Sequence, residues 1–136
     1  MSEQTNTAVI QTIYAAFNSG DIQKVMSIVD TNAKWVNYGP DVIPYFGDFT
    51  GRIADFFKAL GENTDGGKVI IDRYIASGDT VVTQGRYIGT ARNTGAGIDE
   101  PIAHVFTLRD GKITSWTGYG DTAKVVAAHA GKAASV

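Results

Sequence analysis

The stretch from Glu100 to Asp121, EPIAHVFTLRDGKITSWTGYGD, constrains this chain more than any other. It reads as two strands joined by a tight turn at Arg109-Asp110-Gly111-Lys112. Asp-Gly supplies the positive φ angles that a two-residue hairpin needs, at little steric cost. Side chains alternate along each strand. On the first, Ile102, His104, Phe106 and Leu108 share one face, and Ala103, Val105 and Thr107 the other. On the second, Thr114, Trp116, Gly118 and Gly120 oppose Ile113, Ser115, Thr117 and Tyr119. Apolar bulk falls on both faces. One face must therefore meet helices, and the other a second sheet or a second subunit.

The rest of the chain supplies those helices. Val9, Ile13 and Phe17 recur at helical spacing and predict a helix over Thr7–Ser19. Gly20 closes it, and Asp21 caps a second helix from Ile22 to about Val29. AKWVNY, residues 33–38, reads as a short strand with Trp35 and Asn37 on one face. The loop GPDVIPYFGDFTG follows, apolar enough to fold over a site. A third helix starts at Thr50 or Gly51 and ends at Gly61, with Ile53, Phe56, Phe57 and Leu60 at helical spacing. From Lys68 the period changes to two, giving a strand, a Gly78-Asp79 turn and a longer strand to Arg92. After the terminal hairpin, Asp121 caps a last helix, TAKVVAAHA. Helices first and strands after predict an α+β fold, a cone-shaped curved antiparallel sheet wrapped around three N-terminal helices. The expected organisation is a single domain over 1–136, with residues 1–6 and 132–136 as mobile tails.

Composition narrows the partners. Cysteine is absent, so disulfides and thiolate metal sites are excluded. The two histidines, His104 and His129, lie too far apart to suggest a metal motif, and none is expected. The net charge of −2 and the lack of a Lys/Arg cluster argue against nucleic acid and anionic membrane as partners. No basic n-region with an apolar run opens the chain, so no signal peptide is expected, and no apolar stretch approaches a membrane span. A cytoplasmic globule is the expectation.

Three segments carry a family resemblance: TAVIQTIYAAFNSGDIQKV, PYFGDFTGRIADFF and PIAHVFTLRDGKITSWTGYGD. Together they resemble the nuclear-transport-factor-2-like superfamily, whose fold is also called cystatin-like, and within it the SnoaL-like and ketosteroid-isomerase-related branch. The resemblance implies a cone-shaped barrel, a homodimer through the outer sheet face and no cofactor. Carried over residue by residue, the isomerase base falls on Asn37, the protonated aspartate on Ala103 and the tyrosine on Ile13, beside Tyr14. Asparagine cannot abstract a proton and alanine cannot donate a hydrogen bond, so the ketosteroid-isomerase mechanism is not implied. In limonene-epoxide-hydrolase-like members, the water-holding asparagine corresponds to Asn37 and the tyrosine to Trp35. The arginine and two aspartates of that set fall on Gly85, Tyr87 and Gly118. The single acid–base aspartate of SnoaL-like cyclases has its nearest counterpart in Asp121.

These readings give a site list. Asn37 and Asp121 are the candidates for chemistry, though Asp121 reads first as a helix cap. Tyr14, Trp35, Asn37, Tyr45, Phe46, Tyr87, Trp116 and Gly118 are expected to line a pocket of roughly 300–1,000 Å³. With Ala103 placed inward, His104 is expected on the outer, dimer-facing side, and His129 in solvent. The partner expected is a small, mostly apolar molecule bearing a carbonyl or hydroxyl, with cofactor-free isomerase, cyclase or hydrolase chemistry. The alternative is a non-catalytic ligand-binding or dimerisation module.

Overall fold

The computed structural model describes residues 2–131, so the expected tail 132–136 lies outside the described residues. The terminal hairpin forms as its sequence dictates. Strand β5 (Gly97–Arg109) and strand β6 (Lys112–Gly120) are joined by Asp110 and Gly111 at φ of 51° and 76°, the left-handed pair that the turn requires. The remaining elements are α1 (Glu3–Asn18), α2 (Ile22–Ile28), β1 (Val29–Asn37), β2 (Gly47–Asp48), α3 (Ile53–Asn63), β3 (Thr64–Ser77), β4 (Thr80–Ala91) and α4 (Thr122–His129).

The start of the chain departs from expectation. Helix α1 begins at Glu3, a full turn before Thr7, because the Ser2 hydroxyl accepts the Thr5 backbone N–H at 3.0 Å. Asn6 is 1 % exposed. Residues 3–6 are thus a capped and docked first turn, not a mobile tail.

The six strands form one sheet in the order β2-β1-β6-β5-β4-β3. All neighbours are antiparallel except β1 and β6, which run parallel. The short β2 comes from the aromatic loop and was not visible as a period-two pattern. Strand β3 bulges between Ile71 and Arg73. Opposite the bulge, a Cβ at Gly85 would run into the Ile70 carbonyl, so glycine lets the two backbones close there.

The two faces of β5 are the reverse of the expectation carried over from Ala103, while Trp116 of β6 points inward as expected. Ile102, His104, Phe106, Leu108 and Ile113 are buried against the helices, while Ala103, Val105, Thr107, Ser115 and Thr117 are half-buried on the other side. The bulkier side chains occupy the core, where they remove more apolar area from water. The face that suggested a dimer is therefore covered within this chain. Residues Ile10, Ile13 and Tyr14 of α1, Val25 of α2 and Phe56 and Leu60 of α3 join it in one hydrophobic core. Among the described residues, no helix is long and apolar enough to cross a membrane.

Candidate functional site

Strand register decides which side chains meet. One row across the inner face runs Tyr74, Thr83, His104, Gly118, Asn37; the next runs Ala76, Val81, Phe106, Trp116, Trp35. Glu100 pairs with Tyr87 further along β5 and shares the face of Ile102 and His104. These rows and the helices enclose a cavity of about 90 Å³ with mostly apolar walls. It is smaller than the expected 300–1,000 Å³, because aromatic rings fill the cone. Trp35 stacks on Trp116 at 4.7 Å between centroids, and Phe56 packs edge-on against both Phe57 and Trp35. The Trp35 Nε1 is buried without a hydrogen-bond partner among the described residues, a cost carried by this packing.

The deep end of the cavity is a closed polar network. The Tyr14 hydroxyl lies 2.7 Å from Thr83 Oγ1 and 2.7 Å from His104 Nδ1. Counting donors fixes its direction. Thr83 is fully buried, and its hydroxyl has no other partner among the described residues, so it must donate to Tyr14. Tyr14 then donates to Nδ1 of His104, and the imidazole carries its proton on Nε2, the nitrogen left for the cavity. Burial pushes the His104 pKa down to about 3, so the ring is neutral at ordinary pH. Burial pushes the Tyr14 phenol well above its ordinary value. His104 is thus an inward hydrogen-bond donor, not an outer-face residue.

The other end holds Glu100, which is 6 % exposed and lines the cavity. Among the described residues nothing hydrogen-bonds its carboxyl. Burial first, and then the charge of Asp121, raise its pKa to about 7. Gly120 makes room for it, since a Cβ there would collide with Glu100 Oε2. Asp121 is exposed at the N-cap of α4 without a side-chain capping bond, and it does not line the cavity. It neither caps by its side chain nor reaches the site directly; it acts on Glu100 through charge.

A second network ties the aromatic loop to α4. Asn93 Nδ2 donates to the His129 carbonyl at 2.9 Å, which turns Asn93 Oδ1 toward His129 Nδ1 at 3.0 Å. Nδ1 therefore carries the proton, and Nε2 accepts from the Tyr45 hydroxyl at 2.7 Å. Burial lowers the His129 pKa and raises that of Tyr45, to which Tyr87 and Glu100 add. His129 is half-buried and hydrogen-bonded, not free in solvent.

Of the expected pocket residues, Tyr14, Trp35, Asn37, Tyr45, Phe46, Tyr87 and Trp116 line the cavity. Gly118 does not. A Cβ there would meet Asn37 Oδ1 at 2.6 Å and the Trp116 indole at 2.7 Å, so its space is already taken by those side chains. Asn37 donates Nδ2 to the Tyr45 carbonyl at 3.0 Å, holding the loop to β1. Among the further lining residues are Glu100 and His104, and strand alternation was the signal for both. Once Phe106 and Leu108 are placed inward, His104 and Glu100 follow by steps of two. Among the described residues, no cluster of three His, Asp or Glu could hold a metal.

A family model described as the SnoaL-like domain matches residues 10–116. No curated protein matches the chain. Solved structures do. A nuclear-transport-factor-2-like protein of Burkholderia thailandensis is 29% identical, with a TM-score of 0.82 over 94% of this chain and 98% of that one. TerC, co-crystallised with polyporic acid, is 26% identical, with a TM-score of 0.84 over 93% of this chain and 98% of its own. A protein of unknown function with this fold from Burkholderia pseudomallei reaches a TM-score of 0.85 at 22% identity, over 94% of this chain and 98% of its own.

Proposed function

This chain belongs to the SnoaL-like domain family, and on that basis we propose that it is one such domain, residues 1–136, acting on a small molecule in its cone. The ligand is mostly apolar and bears a carbonyl or hydroxyl oxygen. That oxygen accepts a hydrogen bond from His104 Nε2–H, whose tautomer Tyr14 and Thr83 set. Glu100 exchanges a proton with the ligand, and no cofactor takes part. Asn37 anchors the loop over the ligand, and Asp121 tunes Glu100. The observation that carries this reading is an unpaired, buried carboxyl of pKa about 7 in an apolar cavity that also holds a neutral histidine. TerC, taking polyporic acid on a similar fold, supports small-molecule binding.

The test is hydrogen–deuterium exchange at the α-carbons of a panel of small ketones, followed by NMR. Exchange should rise through about pH 7 and fall on the order of 10²-fold or more in Glu100→Gln. Equal exchange with both proteins would overturn the catalytic role.

The cavity of about 90 Å³ favours a second reading, a binding module without catalysis. In that case the panel binds and nothing exchanges. For assembly, we propose a second copy on the outer sheet face. There Ile75, Val82, Val105 and Thr117 form one cross-strand row, and Tyr38 stacks on Tyr119 with both rings 48 % exposed. A monomer in sedimentation at micromolar concentration would exclude it.

A further inference from the structure

Building on the pocket reading above, we propose that the ligand is a small amino ketone or amino alcohol, its protonated amine seated between the Glu100 carboxylate and the Tyr45 hydroxyl oxygen. Four observations support it. First, among the described residues Glu100 is the one residue of formal charge on the cavity wall, and no Lys or Arg lines it. A buried carboxylate without a counter-charge must take up a proton or meet a cation. Asp121 adds negative charge on the same side and makes a cation still more welcome.

Second, the groups around Glu100 do not satisfy it. The Tyr45 proton is committed to His129 Nε2, because Asn93 holds the other ring nitrogen protonated. The Tyr87 hydroxyl donates to Thr64 Oγ1 at 3.2 Å. One N–H of Asn37 Nδ2 donates to the Tyr45 carbonyl, and among the described residues the other makes no hydrogen bond to Glu100. Both phenols therefore meet Glu100 as acceptors, and the charge of Glu100 disfavours ionisation of both. Among the described residues no donor bonds the Glu100 carboxyl, and an ammonium supplies donors and charge together.

Third, the walls are aromatic: Tyr45, Phe46, Tyr87 and Trp116 line the same cavity, and ring faces attract cations. Fourth, the opposite end presents a donor, His104 Nε2–H. Glu100 and His104 are four residues apart on one strand face, about 13 Å between Cα atoms at the usual strand rise. Their side chains reach inward from both ends, leaving a span of a few bonds. An oxygen acceptor at one end and an ammonium at the other describe a short bifunctional ligand.

A matched pair of probes tests this. Dimethylaminoacetone and 4-methylpentan-2-one have the same shape and the same carbonyl, and only the first carries an amine. Binding is followed by NMR shifts of the His104 ring and the Trp116 indole. At about pH 8 the amine should bind at least about tenfold more tightly. The preference should vanish in Glu100→Gln, and in the wild type at about pH 5, where Glu100 is protonated. The wild-type pH contrast stands alone if the variant folds poorly. If 4-methylpentan-2-one binds as well as the amine at both pH values, the amine inference is overturned and the pocket reading survives. If neither probe moves the His104 or Trp116 signals, both fall.

Discussion

His104 and Glu100 stand on the same face of β5, both withdrawn from water, and burial drives their pKa values in opposite directions. His104 goes down to about 3 and Glu100 up to about 7. In each case burial favours the neutral form. The consequences differ. A neutral histidine is an ordinary hydrogen-bonding group, and Tyr14 and Thr83 satisfy it at 2.7 Å. A neutral carboxylic acid of pKa about 7 gives up its proton near physiological pH, and among the described residues nothing hydrogen-bonds it. One end of the cavity is a finished structure. The other leaves a carboxyl on the cavity wall without a hydrogen-bonding partner among the described residues. The same low-dielectric environment therefore yields a positioning group where a network closes, and a reactive group where none does.

The largest expected effect is on acid stability. The histidine's folded pKa lies below its unfolded value of 6.5, so its contribution is present above 6.5 and is lost as pH falls toward 3. The shift corresponds to about 5 kcal/mol. Glu100 has the opposite sign. Its folded pKa lies above 4.5, so its contribution is full below 4.5 and is lost as pH rises through about 7. Between 6.5 and 4.5 the two slopes cancel. Urea unfolding should show a plateau there, followed by a steep loss below it. In His104→Gln the steep loss should disappear, and stability should instead rise as pH falls from 7 to 4.5. An acid limb unchanged in that variant would show that His104 is not the buried base described.

Glu100→Gln should show the complement, of about 3 kcal/mol. Relative to wild type, the variant should be more stable at pH 8, since an uncompensated buried charge is removed, and the advantage should vanish near pH 4.5. A difference that does not change with pH would mean that Glu100 has an unrecognised partner. This separates a strained functional carboxylate from one that stabilises the fold.

The two ends also differ in what the sequence discloses. The hairpin, the capping role of Asp21 and the α+β order are legible because alternation, helical spacing and turn chemistry are local. Asp21 does accept the Lys24 backbone N–H at 3.1 Å. The aromatic lining was legible too, since Trp35 and Asn37 must share a face. The facing of β5 was not, because both faces carry apolar residues and the family register pointed Ala103 inward. That one inversion hid Glu100 and placed His104 outside. The Tyr45–His129–Asn93 network joins a loop, a helix end and another loop across 84 and 36 residues of sequence, and no local pattern marks such a meeting.

A smaller effect should come from Tyr14→Phe. It removes the hydroxyl that joins Thr83 to His104 and leaves both without that partner in a buried site, at a cost of about 1–3 kcal/mol. Thermal unfolding measures it. Tyr45→Phe should cost less, near the lower end of that range, because water can reach the half-buried His129. Equal costs would mean that the mouth is as closed as the deep end.

The smallest effect is also the sharpest, because its sign reports which way a proton points. In the structure Tyr45 donates to the lone pair of His129 Nε2, an interaction available only to the neutral ring. It acts in the same direction as the burial that lowers the His129 pKa. Deleting the hydroxyl in Tyr45→Phe should therefore raise the His129 pKa toward its ordinary value, visible in the imidazole C–H shifts on titration. Were Nε2 the protonated nitrogen instead, Tyr45 would be the acceptor, and its bond would survive protonation and steady the charged ring. The same deletion would then lower the pKa. A downward shift would free the Tyr45 proton to point at Glu100, give the carboxylate a donor from the protein itself and remove the reason for a cation at that end of the cavity. An upward shift keeps the Tyr45 proton on His129 and leaves its oxygen an acceptor toward Glu100, as the asymmetry between the two ends requires.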